Sequence, residues 1–185
     1  TFNPTMDGYA TSSDPRVPRW LFNTVFVSVG ATLLHLLCDS LAGYALARMK
    51  FPGNRIMFYV VLGTMMIPGV VLIIPRFIIM RQLGILDTYQ GLLLPAATSA
   101  FGIFLMKQFF ESIPAEVEEA AMVDGANRFV MFFRIVLPMA TPALTALAIF
   151  SFQGMWNGFL DPLITVQRNP DLWTLPLGLA QLRGE

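Results

Sequence analysis

The sequence is poor in the residues that most often carry chemistry. Its one cysteine, Cys38, excludes an intramolecular disulfide framework and any multi-cysteine metal site. It has one histidine, His35, and only 13% of its residues are charged. Twelve basic and twelve acidic side chains cancel, which leaves no electrostatic reason to expect nucleic acid as a partner. No Gly-x-x-x-x-Gly-Lys-Ser/Thr pattern occurs, so ATP hydrolysis is not assigned to this chain, and neither a metal site nor a cofactor of its own is expected.

What is abundant is apolar side chain. Of 185 residues 55% are hydrophobic, and the mean hydropathy is +0.62, more than a soluble domain of this length can hide. A bilayer core about 30 Å thick asks for about 20 apolar residues of helix. Four windows free of Lys, Arg, Asp and Glu meet that need: Trp20 to Cys38, Ile56 to Pro75, Thr88 to Met106 and Ile135 to Leu160. Allowing for their ends, they predict spans over residues 20–47, 56–80, 88–110 and 136–165. In hydrocarbon every backbone N–H and C=O needs an internal partner, and no stretch alternates like an outer-membrane strand, so the expected fold is all-α, a polytopic transmembrane helical bundle. Pro68, Pro75, Pro95, Pro138, Pro142 and Pro162 are expected to mark kinks or helix ends.

Charge does not choose an orientation. Arg48, Lys50, Arg55, Lys107, Arg128 and Arg134 fall on one side, matched by six arginines on the other. The chain starts at Thr1 rather than Met and ends in a polar stretch at Glu185, and is expected to be a fragment.

The connection between the third and fourth windows is long and acidic. From Ser112 it reads Ser-Ile-Pro-Ala-Glu-Val-Glu-Glu-Ala-Ala-Met-Val-Asp-Gly-Ala-Asn, then Arg-Phe-Val-Met-Phe-Phe-Arg-Ile-Val-Leu-Pro. Pro114 suits a first helical turn, Glu116, Glu118 and Glu119 suit the positive end of a helix dipole, and Gly125 suits a left-handed terminator. Asn127 is placed to cap a second helix. Val117 and Ala121 lie four apart beside the small Ala120, giving a candidate docking face, and Phe129, Phe132 and Phe133 are placed to anchor the second helix. Periodicity alone leaves a second reading equally open, a helix lying on the membrane surface.

Glu119-Ala120-Ala121, then Asp124-Gly125-Ala126, then Ile135-Val136-Leu137-Pro138 resembles the signature loop of binding-protein-dependent ABC importer permeases. Further matches extend over nearly the whole chain: Ser40 to Arg48, Phe51-Pro52-Gly53, Met66-Ile67-Pro68-Gly69, Leu83 to Tyr89, Phe101 to Phe104 and Trp156-Asn157. They are most similar to the carbohydrate branch, the MalG-like second permease of maltose-type importers. The resemblance implies six spans, of which this fragment holds the middle four, in a multi-pass bacterial or archaeal cell membrane protein. It implies that 112–138 is a cytoplasmic coupling loop, with Glu119, Ala120, Ala121, Asp124, Gly125, Ile135, Leu137 and Pro138 as coupling residues. The implied partners are ABC ATPase subunits that bind ATP and Mg, a second homologous permease and an extracytoplasmic solute-binding protein, which Leu172 to Leu182 would touch. The implied cargo is a carbohydrate. Gly158 stands where the family often has an acidic residue.

Three alternatives stay open. The cargo of a coupling loop is not encoded in it, so an oligopeptide, amino acid or phosphonate permease fits the same motif. His35, Cys38 and Asp39 share a helical face and admit metal binding or a proton relay, hence an ion-coupled transporter or channel, although a packed polar spot is the simpler reading. Gln153, Trp156 and Asn157 lie in a charge-free window, where polar groups need a helix neighbour or a water-filled translocation path.

Overall fold

The computed structural model describes residues 14–182, and among them no strand is present. The helices are α1 (Val17–Arg48), α2 (Asn54–Met65), α3 (Ile73–Gln82), α4 (Tyr89–Leu93) and α5 (Ala100–Ser112). They continue with α6 (Ala115–Val123), α7 (Arg128–Met131), α8 (Leu137–Met139), α9 (Thr141–Trp156), α10 (Leu160–Thr165) and α11 (Leu175–Leu182). Short 3-10 turns cover Gly69–Leu72 and Pro170–Leu172, and Phe132–Val136 is wound as π-helix.

Among the described residues only α1, with 32 residues, is an uninterrupted helix long and apolar enough to cross a membrane. Two further pairs meet the same test when taken together: Asn54–Met65 with Gly69–Gln82, bent by 98°, and Arg128–Met139 with Thr141–Trp156, bent by 78°. The third apolar window is divided rather than continuous. Pro95 interrupts it, and Thr88 and Ser99 each accept a backbone N–H, from Gly91 and Gly102, so that two short helices start inside it. Absence of charge concealed these caps, because a hydroxyl barely lowers hydropathy yet satisfies the orphan donors of a helix start.

The prolines explain themselves by position. Pro75, Pro142 and Pro162 occupy first turns, where no N–H is required, and Pro68 and Pro95 lie in the breaks. Pro138 is the exception, sitting inside a helical run. The π turn that ends just before it widens the helix where a proline ring would otherwise press on the carbonyl four residues back.

The chain forms two compact units. The first takes residues 14–30, 73–95 and 153–182, around a core of Val27, Leu92, Val166, Leu172 and Leu177. Its polar framework is built on the first turns of α1. Trp20, fully buried, donates Nε1–H to the Pro170 carbonyl at 3.2 Å. Asn23, also fully buried, donates to the carbonyls of Asp171 (2.8 Å) and Trp173 (2.9 Å) and accepts from the Tyr89 hydroxyl (2.7 Å), so both its N–H bonds and its carbonyl oxygen are engaged. Gly178 is required here, because a Cβ would stand 2.2 Å from Trp20 Cε3. Gly178→Ala is expected to cost about 1–3 kcal/mol by overpacking. Thermal unfolding of the detergent-solubilised protein reads it, and an unchanged midpoint would mean that the indole can move aside.

The second unit takes residues 31–72 and 96–152. Its core joins Tyr44, Met106, Phe110, Ile113, Ala121, Met131, Phe132, Val136, Ala140, Ala143 and Leu147. Gly43 lets α1 approach α5 closely, since a Cβ there would meet Met106 Cβ at 2.8 Å and the Lys107 nitrogen at 2.9 Å. By contrast, α2 buries no residue, and its Ile56, Met57, Tyr59 and Val60 are exposed by half or more. An apolar helix without an inward face suits lipid or neighbouring helices.

Candidate functional site

Helix α6 is short, and its ends are set by local chemistry. Pro114 is its N-cap, one position before the first turn that the sequence suggests. Glu116 and Glu118 fall in the first turn, where the helix dipole favours them. The other end is a Schellman motif: Gly125 N–H donates to Met122 O (3.1 Å) and Ala126 N–H to Ala121 O (2.9 Å), with Gly125 at φ 82°. Any Cβ-bearing residue pays to hold that left-handed geometry. Asp124 is the exposed C-cap. Two residues beyond Gly125, Asn127 caps α7 by accepting from Val130 N–H at 2.9 Å. The two-helix parse, the glycine terminator and the asparagine cap are therefore all present.

The faces of α6 correct the expected docking surface. Ala121 is buried in the core of its unit and Val117 is half-buried, so they look inward. Glu116, Glu119, Ala120 and Val123 are exposed and recur at helical spacing, forming the outward face; Val123 is 88% exposed. Among the aromatic anchors only Phe132 is buried, while Phe129 and Phe133 are exposed. Ile135 and Leu137 pack half-buried against the same core as Ala121, whereas Pro138 is exposed. The motif thus divides into an outward patch of Glu119 and Ala120, a turn at Gly125, and inward anchors Ala121, Ile135 and Leu137.

Adjacent glutamates face opposite ways. Glu118 is buried, with Oε1 3.1 Å from Arg48 Nε and Oε2 accepting from the Tyr44 hydroxyl at 3.5 Å. Arg48 Nη2 also donates to the carbonyls of Phe110 (2.6 Å) and Ile113. The sequence places Arg48 in a charge tally and at the end of the Ser40 to Arg48 stretch but gives no sign of this junction, because its members are distant in the chain.

The polar spot on α1 is packed within its unit. Asp39, fully buried, accepts from Thr98 Oγ1 (2.5 Å), Ser99 N–H (3.0 Å) and Ser99 Oγ (3.0 Å), and so braces the start of α5. His35 Nδ1 lies 2.7 Å from Ser151 Oγ. Cys38 is half-buried, and no group of three metal-ligating side chains occurs among the described residues. The histidine and the carboxylate therefore each serve a helix contact of their own.

Gln153 and Asn157 are exposed near the end of α9, with Trp156 half-buried between them in sequence. Asn157 Nδ2 donates to the Gln153 carbonyl at 2.9 Å, closing the last turn of the helix. In the stretch expected to touch a binding protein, Leu172, Leu177 and Gly178 are buried, leaving side chains such as Leu179 exposed.

Residues 40–179 match the family described as binding-protein-dependent transport system inner membrane component. The diacetylchitobiose uptake system permease protein NgcG of Streptomyces coelicolor is 38% identical over 94% of this chain and 58% of its own length. The arabinooligosaccharides transport system permease protein AraQ of Halalkalibacterium halodurans is 39% identical over 88% of this chain, again 58% of its own length. The chain thus spans somewhat over half of these relatives. A bacterial ABC transporter involved in the import of the acidic polysaccharide alginate has a crystal structure similar to this chain at a TM-score of 0.84 and 31% identity, covering 95% of this chain and 61% of that one. The all-α apolar helices, the Glu-Ala-Ala helix ended by Gly125 and the extent of these matches lead to one conclusion: the chain belongs to the binding-protein-dependent transport inner membrane component family.

Proposed function

We propose that this chain is the middle part of a permease subunit that imports a carbohydrate, driven by separate ATPase subunits that dock on α6. The observation that carries the proposal is the division of α6 into a face held by its own unit, through Glu118 and Ala121, and a free face of Glu119, Ala120 and Val123. A helix stoppered by a left-handed glycine and packed on one side is stiff enough to pass on a push, and alanine lets a partner surface come close. On this reading α6 lies in the cytoplasm, Glu119 meets a basic group on the ATPase, and ATP and Mg bind that partner.

The mechanism is conformational, with no covalent step on this chain. Closure of two ATPase subunits on ATP displaces α6, the spans shift against those of a second homologous permease, and solute delivered by an extracytoplasmic binding protein meets a site whose affinity differs between the two access states. The carbohydrate cargo is supported by the relatives named for diacetylchitobiose and arabinooligosaccharides. Gln153, Trp156 and Asn157 are proposed to line the path, combining an aromatic face with amides suited to hydroxyl groups.

The test is co-purification of the full-length subunit with its ATPase, followed by transport in proteoliposomes, for wild type, Glu119→Arg and Gly125→Val. Both variants are expected to lose coupled transport, Gly125→Val because a β-branched residue resists φ 82°. Wild-type assembly and transport in both would defeat the assignment of α6. Transport that follows an ion gradient without ATP would instead favour the ion-coupled alternative, and binding proteins for peptides, amino acids or phosphonates would move the cargo.

A further inference from the structure

We infer that Arg48 and Glu118 form a buried strut that ties α6 to the end of α1, making Glu118 and Arg48 positioning residues for energy coupling. The inference rests on α6 being the ATPase docking helix, and adds how its displacement reaches a span.

Arg48 is the last residue of the 32-residue helix α1. Its guanidinium makes an ion pair with the Glu118 carboxylate, Nε 3.1 Å from Oε1 without the alignment of a hydrogen bond, and donates from Nη2 to the Phe110 carbonyl at 2.6 Å and to the Ile113 carbonyl. Phe110 lies in the last turn of α5 and Ile113 is its C-cap, so their carbonyls belong to the negative end of that helix. Glu118 lies in the first turn of α6, at the positive end of that dipole. One guanidinium therefore joins the end of α1, the end of α5 and the start of α6 through two hydrogen bonds and an ion pair, with each charge where the adjacent helix end favours it.

One turn earlier on α1, Tyr44 supports the joint. Its hydroxyl points at Glu118 Oε2 (3.5 Å), and its ring packs on Phe110 and Phe132 with centroids 5.8 and 5.0 Å away. The pair is nearly dry, with the side chains of Arg48 and Glu118 14% and 10% exposed. A buried ion pair is weak as a source of stability but specific in geometry, since its desolvation offsets its attraction. Here it fixes the distance and direction between two helices. Glu119, one residue on, faces outward, so the two glutamates divide the work: one reads the partner, the other holds the span.

Arg48→Lys retains the charge but not the planar fork, and Glu118→Gln retains the shape but not the charge. The full complex in proteoliposomes is expected to keep its ATPase subunits and its basal ATP hydrolysis in both variants. Solute transported per ATP is expected to fall about fivefold or more, the range of a coupling free energy rather than of lost assembly. Tyr44→Phe, which removes one hydroxyl, is expected to show a smaller fall with unchanged melting. Wild-type transport per ATP in Arg48→Lys and Glu118→Gln overturns the strut. So does loss of assembly in both with unchanged coupling in Tyr44→Phe, because the pair then serves folding alone. If Glu119→Arg also leaves ATPase association intact, the docking assignment itself has failed, which separates the two outcomes.

Discussion

Asp39→Ala is expected to lower the stability of the subunit by about 2–3 kcal/mol, the cost of leaving buried donors without an acceptor. The carboxylate is fully buried and takes three hydrogen bonds, two of them from Ser99, which itself caps α5 by accepting from Gly102 N–H at 2.9 Å. Removing it strips the second layer of a helix cap and exposes the first turn of α5 to an unmatched dipole. Asp39→Asn keeps an acceptor oxygen and is expected to lose about 1 kcal/mol. The geometry offers an independent check at Gly102, where a Cβ would stand 1.9 Å from Asp39 Oδ2. Gly102→Ala must expel the carboxylate, so its loss should match or exceed that of Asp39→Ala and should not add to it. Thermal unfolding of the three variants and the double variant measures this; additive losses would mean that the two residues act separately.

Ala120→Leu and Ala121→Leu are expected to fail in opposite ways although they are neighbours. Ala120 is exposed, so the larger side chain should leave stability within about 0.5 kcal/mol of wild type. It stands on the outward face of α6, and its bulk should weaken association with the ATPase about tenfold or more, which corresponds to about 1.4 kcal/mol. Ala121 is only 7% exposed and shares a core with Phe110, Met131 and Phe132. There the same substitution overpacks the unit at a cost of about 1–3 kcal/mol, with ATPase association set by how much folded protein remains. Unfolding midpoints and pull-down with purified ATPase separate the two, and equal melting losses at both positions would contradict the orientation of α6.

Features that depend on neighbours in the chain were legible in the sequence. Gly125 and Asn127 announce a stop and a start because each acts on backbone groups within three residues. The same holds for the acidic first turn of α6. Orientation was harder. Nine residues of α6 mix Glu, Ala and Val on both faces, so only packing decides that Glu118 and Ala121 turn inward while Glu119 and Ala120 turn outward. Contacts between distant residues left no trace in the pattern: Asp39 reads as a stray acid until Ser99 is brought to it, and Arg48 as one charge among many until Glu118 and two helix-end carbonyls surround it. Of the four charge-free windows only the first is one unbroken helix among the described residues, because hydropathy averages over the Pro95 to Ser99 break and the turn at Pro68-Gly69, where proline and capping groups end helices without adding charge.

The π turn at Phe132–Val136 holds a spare residue. A π turn takes one more residue than an α turn to travel once around the axis. In an ordinary α-helix a deletion swings all later side chains by about 100°, the angle per residue that 3.6 residues per turn requires. Removing a residue from the π turn lets the segment rewind toward α-helix instead, but the tighter turn returns the Pro138 ring to the carbonyl four residues back. Pro138 therefore holds the spare residue in place, and a deletion here replaces a change of facing with a strained proline.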